Sequence, residues 1–199
     1  MKRFFIGMIV ALASGLQLSP STAIAQQKFV VTPLAEKKVA ELPTGPLFWR
    51  IENFASLAQA QAAAGPWALV AESAGKVWLF TLGPSGGSSE GGTKIAEVGP
   101  VSPVVATQYL LRINEGSGPP GSITPVHTHP GSEAFFVLTG ETSSHTADGV
   151  KRVGAGQSET GHGANTPMQV SSSGSTDLHS LVMFVVDATK PFSSPAEFP

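Results

Sequence analysis

Residues 121–140 read GSITPVHTHPGSEAFFVLTG, and the spacing of the polar residues in this stretch decides the fold. Gly121 is followed after five residues by His127, then by His129, by Glu133 after three more, and by Gly140 after a further six. Along an extended chain, residues two apart share a face, so His127 and His129 direct both imidazoles to one side. Pro130-Gly131 turns the chain. Glu133, Phe135 and Val137 then alternate along the next strand, which sets the carboxylate on an apolar face. Two imidazoles and a carboxylate aimed at one point are a metal-binding donor set. The chain has no cysteine, so thiolate ligands and cysteine nucleophiles are excluded, and disulfides add nothing to stability.

Outward from this stretch, short β runs separated by turn residues are expected at 67–71, 76–82, 94–98, 104–113, 123–129 and 134–139. Further runs fall at 143–146, 151–153, 168–171 and 178–186. Many short strands at this spacing specify a sandwich or barrel. One helix is expected over 56–64, SLAQAQAAA, with Ser56 as N-cap and Gly65-Pro66 as its stop. The segment 83–92, GPSGGSSEGG, reads as a flexible connection. Residues 26–46 contain Pro33, Pro43 and Pro46 and read as an extended N-terminal arm or linker. The barrel domain is expected over 47–190, with its core motif over 121–187, and residues 191–199 form a C-terminal tail.

The chain opens with Lys2 and Arg3, an apolar run over 4–18, Pro20, and Ala23-Ile24-Ala25. This is the pattern of a secretory signal peptide over 1–25 with an A-x-A cleavage site. Gly7, Ser14, Gly15 and Gln17 interrupt the run, which falls short of the roughly 20 residues of a membrane span. The expectation is an exported protein, periplasmic or secreted, with no membrane association after cleavage. The formal charge of the whole chain is -2, from 12 basic and 14 acidic residues. Cleavage would take Lys2 and Arg3 away. No basic cluster invites nucleic acid or anionic lipid.

The glycine, H-x-H pair, glutamate and closing glycine resemble the first motif of the cupin superfamily. The resemblance covers about residues 100–190. It implies an all-β fold, a single jelly-roll barrel, carrying here a short helix and the N-terminal arm, with a metal held near one mouth by His127, His129 and Glu133. The family's second motif supplies a third histidine and then an asparagine, and here the chain departs from it. Met168 stands at the histidine position, Ser172 at the asparagine position, and His162 lies six residues too early. Three alternatives stay open: Met168 gives a thioether, which favours copper(I); His162 reaches in from its glycine-flanked loop; or water completes the site.

The expected cofactor is a divalent metal ion: iron, manganese, zinc or copper. Two histidines and one carboxylate are the ligand type of non-heme iron oxygenases, so a small-molecule oxygenase or isomerase is one expectation. The alternative is a non-enzymatic barrel that binds a small ligand or a metal, since one fold hosts many functions. The catalytic residues are unknown: Glu141, Asp148 and Glu159 are read as turn residues, with no spacing that suggests an acid-base pair. His145 is read as a surface residue and His179 as structural, and Tyr109, Phe135 and Phe136 as wall and core. A small-molecule partner is implied, and a homodimer through barrel edge strands is common in the family and would cover unpaired edges.

Overall fold

The computed structural model describes residues 28–199; the signal-peptide reading of 1–25 lies outside the described residues. The strands in chain order are β1 (Val30–Val39), β2 (Phe48–Phe54), β3 (Ala68–Ser73), β4 (Lys76–Gly83), β5 (Thr93–Val98), β6 (Tyr109–Gly118) and β7 (His127–Thr128). They continue as β8 (Gly131–Thr139), β9 (Glu141–Thr146), β10 (Gly149–Gly154), β11 (Ser158–Thr160), β12 (Gln169–Ser172), β13 (Leu178–Asp187) and β14 (Ser194–Pro195). One helix, α1 (Leu57–Ala63), follows β2. Its N-cap is Ser56, whose hydroxyl accepts from the Gln59 amide, as the sequence predicts.

Strands β6 to β13 form a jelly roll. One sheet runs β1-β6-β13-β8-β11 and the other β10-β9-β12, with β7 joined to the second through the His127–Met168 bridge. From β6 to β13 the chain passes between the facing sheets at each step except the β9–β10 hairpin, which stays within the second sheet, the double Greek-key arrangement of a jelly roll. A further sheet, β3-β4-β2-β5, packs on the outer face of the five-stranded sheet.

The apolar runs of β8 and β13 follow from this layering. Ala134 and Phe136, with Leu181, Met183 and Val185, point outward and pack with Trp49, Trp78 and Phe80 of the added sheet. Phe135, Val137, Val182, Phe184 and Val186 point into the barrel. A strand covered on both faces has no polar face to alternate with. Each fully buried side chain of this size contributes roughly 1.5–3 kcal/mol relative to exposure. Helix α1 closes the far side of the added sheet, setting Ala60 against Phe54, Ala68 and Leu79.

Four expectations need correction. Residues 30–39 are no linker: β1 pairs with β6 along its length, and Pro33 sits at the register shift on an edge strand, where its missing N–H costs no ladder bond. The tail over 191–199 contains β14, which pairs with β7. The glycine-rich segment 83–92 is pinned: the Ser89 amide and hydroxyl donate to the fully buried Glu52 carboxylate at 2.7 and 2.8 Å, and Arg50 Nε donates to it at 2.9 Å. Burial opposes charge on Glu52, but the Ser89 and Arg50 bonds outweigh it and hold the carboxyl below its ordinary range. Finally, Glu141 and Glu159 belong to β9 and β11; only Asp148 lies in a turn.

The closing glycine of the motif has a steric reason. Gly140 adopts φ +72°, and a Cβ there would meet the Asp177 carbonyl oxygen at 2.8 Å, so a side chain would suffer both strain and overlap.

Candidate metal centre

His127 lies on β7, His129 two residues beyond, and Glu133 near the start of β8; all three line one cavity of about 480 Å³ inside the barrel. The two imidazole centroids are 5.0 Å apart. Each ring is tied at Nδ1 to a backbone carbonyl, His127 to Pro125 at 2.9 Å and His129 to Phe192 at 2.7 Å. A carbonyl only accepts, so Nδ1 carries the proton, and in the neutral ring Nε2 keeps a bare lone pair. Metal-ligating histidines are oriented by such bonds. Burial depresses the basicity of His129 to a pKa of about 4, helped by the charges of His127 and Arg112 and opposed by the Phe192 carbonyl.

Glu133 is 3% exposed, and its Oε1 has no hydrogen-bond partner. Burial alone raises its pKa to about 8. An orphaned buried carboxylate oxygen is costly unless a cation or a donor meets it. Gly161 crosses over this side chain, its amide donating to the Glu133 carbonyl at 3.0 Å. A Cβ at Gly161 would stand 2.6 Å from Glu133 Cγ.

The donor set fits a divalent ion in its chemistry. The three side chains nevertheless share the cavity without enclosing a point: among the described residues, no group of three histidine, aspartate or glutamate side chains is assembled to hold a metal. Neither candidate fourth ligand joins them. His162 directs Nε2 to the Ser144 hydroxyl at 2.7 Å, and Met168, 1% exposed, is absent from the cavity wall, although its backbone meets that of His127 through two bonds of 2.9 Å. His145 is exposed. His179 bonds Glu115 at 2.8 Å on the outer side of the sheet, a structural contact between sheets that also takes in Ser73. Phe135 lines the cavity, whereas Phe136 and Tyr109 serve the outer core.

Two wall residues escape the motif. Phe192 packs its ring 4.7 Å from His129 and 4.9 Å from Phe184. Arg112 enters from β6, and its signal was present in the alternation of Leu111, Arg112, Ile113 and Asn114, which leaves a charge on the face that the leucine and isoleucine avoid.

No family model matches the chain, and no curated protein matches it. Solved structures are similar in part. A DMSP lyase from Ruegeria pomeroyi DSS-3 is 21% identical over 43% of this chain and 43% of its own, with a TM-score of 0.37. A cupin superfamily protein from Desulfitobacterium hafniense DCB-2 is 16% identical over 39% of this chain and 68% of its own, with a TM-score of 0.35. A cupin-like protein from Thermotoga maritima is 13% identical over 44% and 65%, with a TM-score of 0.39. The chain therefore spans less than half the length of the lyase. Likenesses this low carry no weight beyond themselves. What the chain itself shows is a jelly roll in which the glycine, H-x-H, glutamate and glycine pattern of 121–140 spans β7 and β8.

Proposed function

We propose that this chain is an exported cupin that binds a divalent metal through His127, His129 and Glu133 and acts on a small molecule in the adjoining cavity, as an oxygenase or isomerase. The observation that carries the reading is the buried Glu133 oxygen without a partner, facing the same cavity as two imidazoles whose Nδ1 atoms are already committed. His127 and His129 would give neutral nitrogen, and Glu133 the compensating charge, releasing its proton as the cation arrives. A divalent ion supplies Lewis-acid chemistry there, and a redox-active one supplies electron transfer as well. Phe135, Phe184 and Phe192 give the cavity an apolar lining, which would strengthen electrostatic interactions within it. Among the described residues of the wall, Arg112 is the one ionisable side chain apart from these three ligands, so the metal reading bears the whole case for catalysis.

Elemental analysis of the protein purified from its native compartment tests this, alongside the His127→Ala/His129→Ala double variant and N-terminal sequencing. Stoichiometric metal that the double variant loses while staying folded is expected, with a mature terminus at Gln26. Stoichiometric metal retained by the double variant would move the site elsewhere. Failure of the wild type to take up iron, manganese, zinc or copper would leave a non-enzymatic small-ligand barrel. A homodimer, if formed, would use the edge strand β1, where Val30 and Val31 are 47% and 52% exposed.

A further inference from the structure

The cavity contains a permanent positive charge that the metal reading does not use. Strand register fixes its place: Arg112 on β6 stands opposite Phe184 on β13, and Phe184 stands opposite Glu133 on β8. Directly opposed residues share a face, so the three make one row across the barrel floor. At about 4.8 Å per strand, the backbones of Arg112 and Glu133 lie roughly 10 Å apart with Phe184 between them. All three line the cavity.

The guanidinium is held in position. Its Nε donates to Asn114 Oδ1 at 2.8 Å, and Asn114 is itself 2% exposed. Its Cζ lies 4.3 Å from the centroid of the Phe192 ring. Nη1 reaches Glu36 at 3.3 Å, but that carboxylate is 58% exposed and forms no part of the wall. Among the described residues Nη2 has no acceptor. An ion pair made only to tie β1 to β6 would need neither the buried asparagine nor a place in the cavity wall.

The geometry points to a short organic carboxylate as the ligand, with its carboxylate on Arg112, its apolar middle over Phe184, and its far end at His127, His129 and Glu133. A planar guanidinium fork matches a carboxylate. The walls beside it, Phe29, Val31, Val170 and Val182, suit a hydrocarbon body, and the row is too short for a long acyl chain. This assignment rests on the proposed metal centre only for the far end of the ligand.

The test is calorimetric titration of the full chain with propanoate, hexanoate and 3-phenylpropanoate, each beside its amide. It is run once in chelator and once with saturating manganese. At least one acid is expected to bind about tenfold or more tightly than its amide, the worth of a charge-assisted pair. Arg112→Met should erase that preference. Glu36→Gln should strengthen acid binding several-fold, because it removes the competing anion. If thermal unfolding shows that Arg112→Met does not fold, Arg112→Lys should weaken the preference while Glu36→Gln still raises it, and a purely structural arginine would show neither. Equal binding of acid and amide in all three pairs overturns the proposal, as does a preference that survives Arg112→Met. Acid preference in a protein that takes up none of manganese, iron, zinc and copper would leave the carboxylate site standing and sink the metal centre; manganese uptake without acid preference would do the reverse.

Discussion

Replacing Glu133 by glutamine tests the buried carboxyl directly, because the amide keeps the shape and removes the ionisation. In metal-free protein the folded state holds this proton up to pH about 8, against an ordinary value of 4.5. The folded pKa is raised, so the contribution to stability is complete below pH 4.5 and is lost as pH rises toward 8. At about 1.4 kcal/mol per pH unit, the interval amounts to roughly 5 kcal/mol. That is a large share of the stability of a domain this size. Urea unfolding in chelator, repeated from pH 5 to pH 8.5, gives the difference between wild type and Glu133→Gln at each pH. Groups that titrate equally in both proteins cancel. The variant should gain on the wild type steadily up to pH 8 and hold level above it. Added divalent metal should flatten the wild-type curve, since a cation in the site favours the carboxylate. Parallel curves in chelator would refute the reasoning, because they would mean that water or another group reaches Glu133 Oε1.

Three other perturbations follow from contacts at the site. Gly161→Ala places a methyl 2.6 Å from Glu133 Cγ; it should cost about 1–3 kcal/mol in urea unfolding by overpacking and should lower metal content measured by elemental analysis. Ending the chain at Lys190 removes Phe192 and the carbonyl that orients His129; metal affinity should fall by about 10–100-fold in competition with a chelator. His129 has its folded pKa lowered to about 4, so its stabilising contribution is complete above pH 6.5 and is lost as pH falls toward 4; His129→Gln should remove about 3 kcal/mol of acid sensitivity over that interval in unfolding titrations.

The barrel was legible in the sequence wherever strands follow their own chemistry. The alternation through Glu133, Phe135 and Val137 gives the inner face of β8, and Ser56 caps α1, because local spacing settles both. β1 was missed because Pro33 argues against a strand until its edge position and bulge are known. The loop over 83–92 was misread because its order comes from Glu52, more than thirty residues away in sequence. The run over 104–113 begins later than expected, at Tyr109, and continues to Gly118. At the site, the spacing of His127, His129 and Glu133 could be read directly, whereas Phe192 could not: nothing in a nine-residue tail announces that its backbone will receive the proton of His129. Arg112 was readable as an anomaly, but only the register with Phe184 and Glu133 gives it a place.

The five-stranded sheet is a party wall. Its inner face floors the cavity and its outer face is one side of the second core, so the span that carries the family resemblance is not a unit that can be cut free. An excised fragment over 100–190 would turn Leu111, Ile113, Leu181, Met183 and Val185, now at most 1% exposed, toward water, and would lose β1 from the sheet edge. The added sheet works as the missing half of a sandwich. Trp78 packs edge-on against Phe136 with centroids 6.2 Å apart, so a change at Trp78 would be felt on the strand that carries Glu133, three residues from that carboxylate.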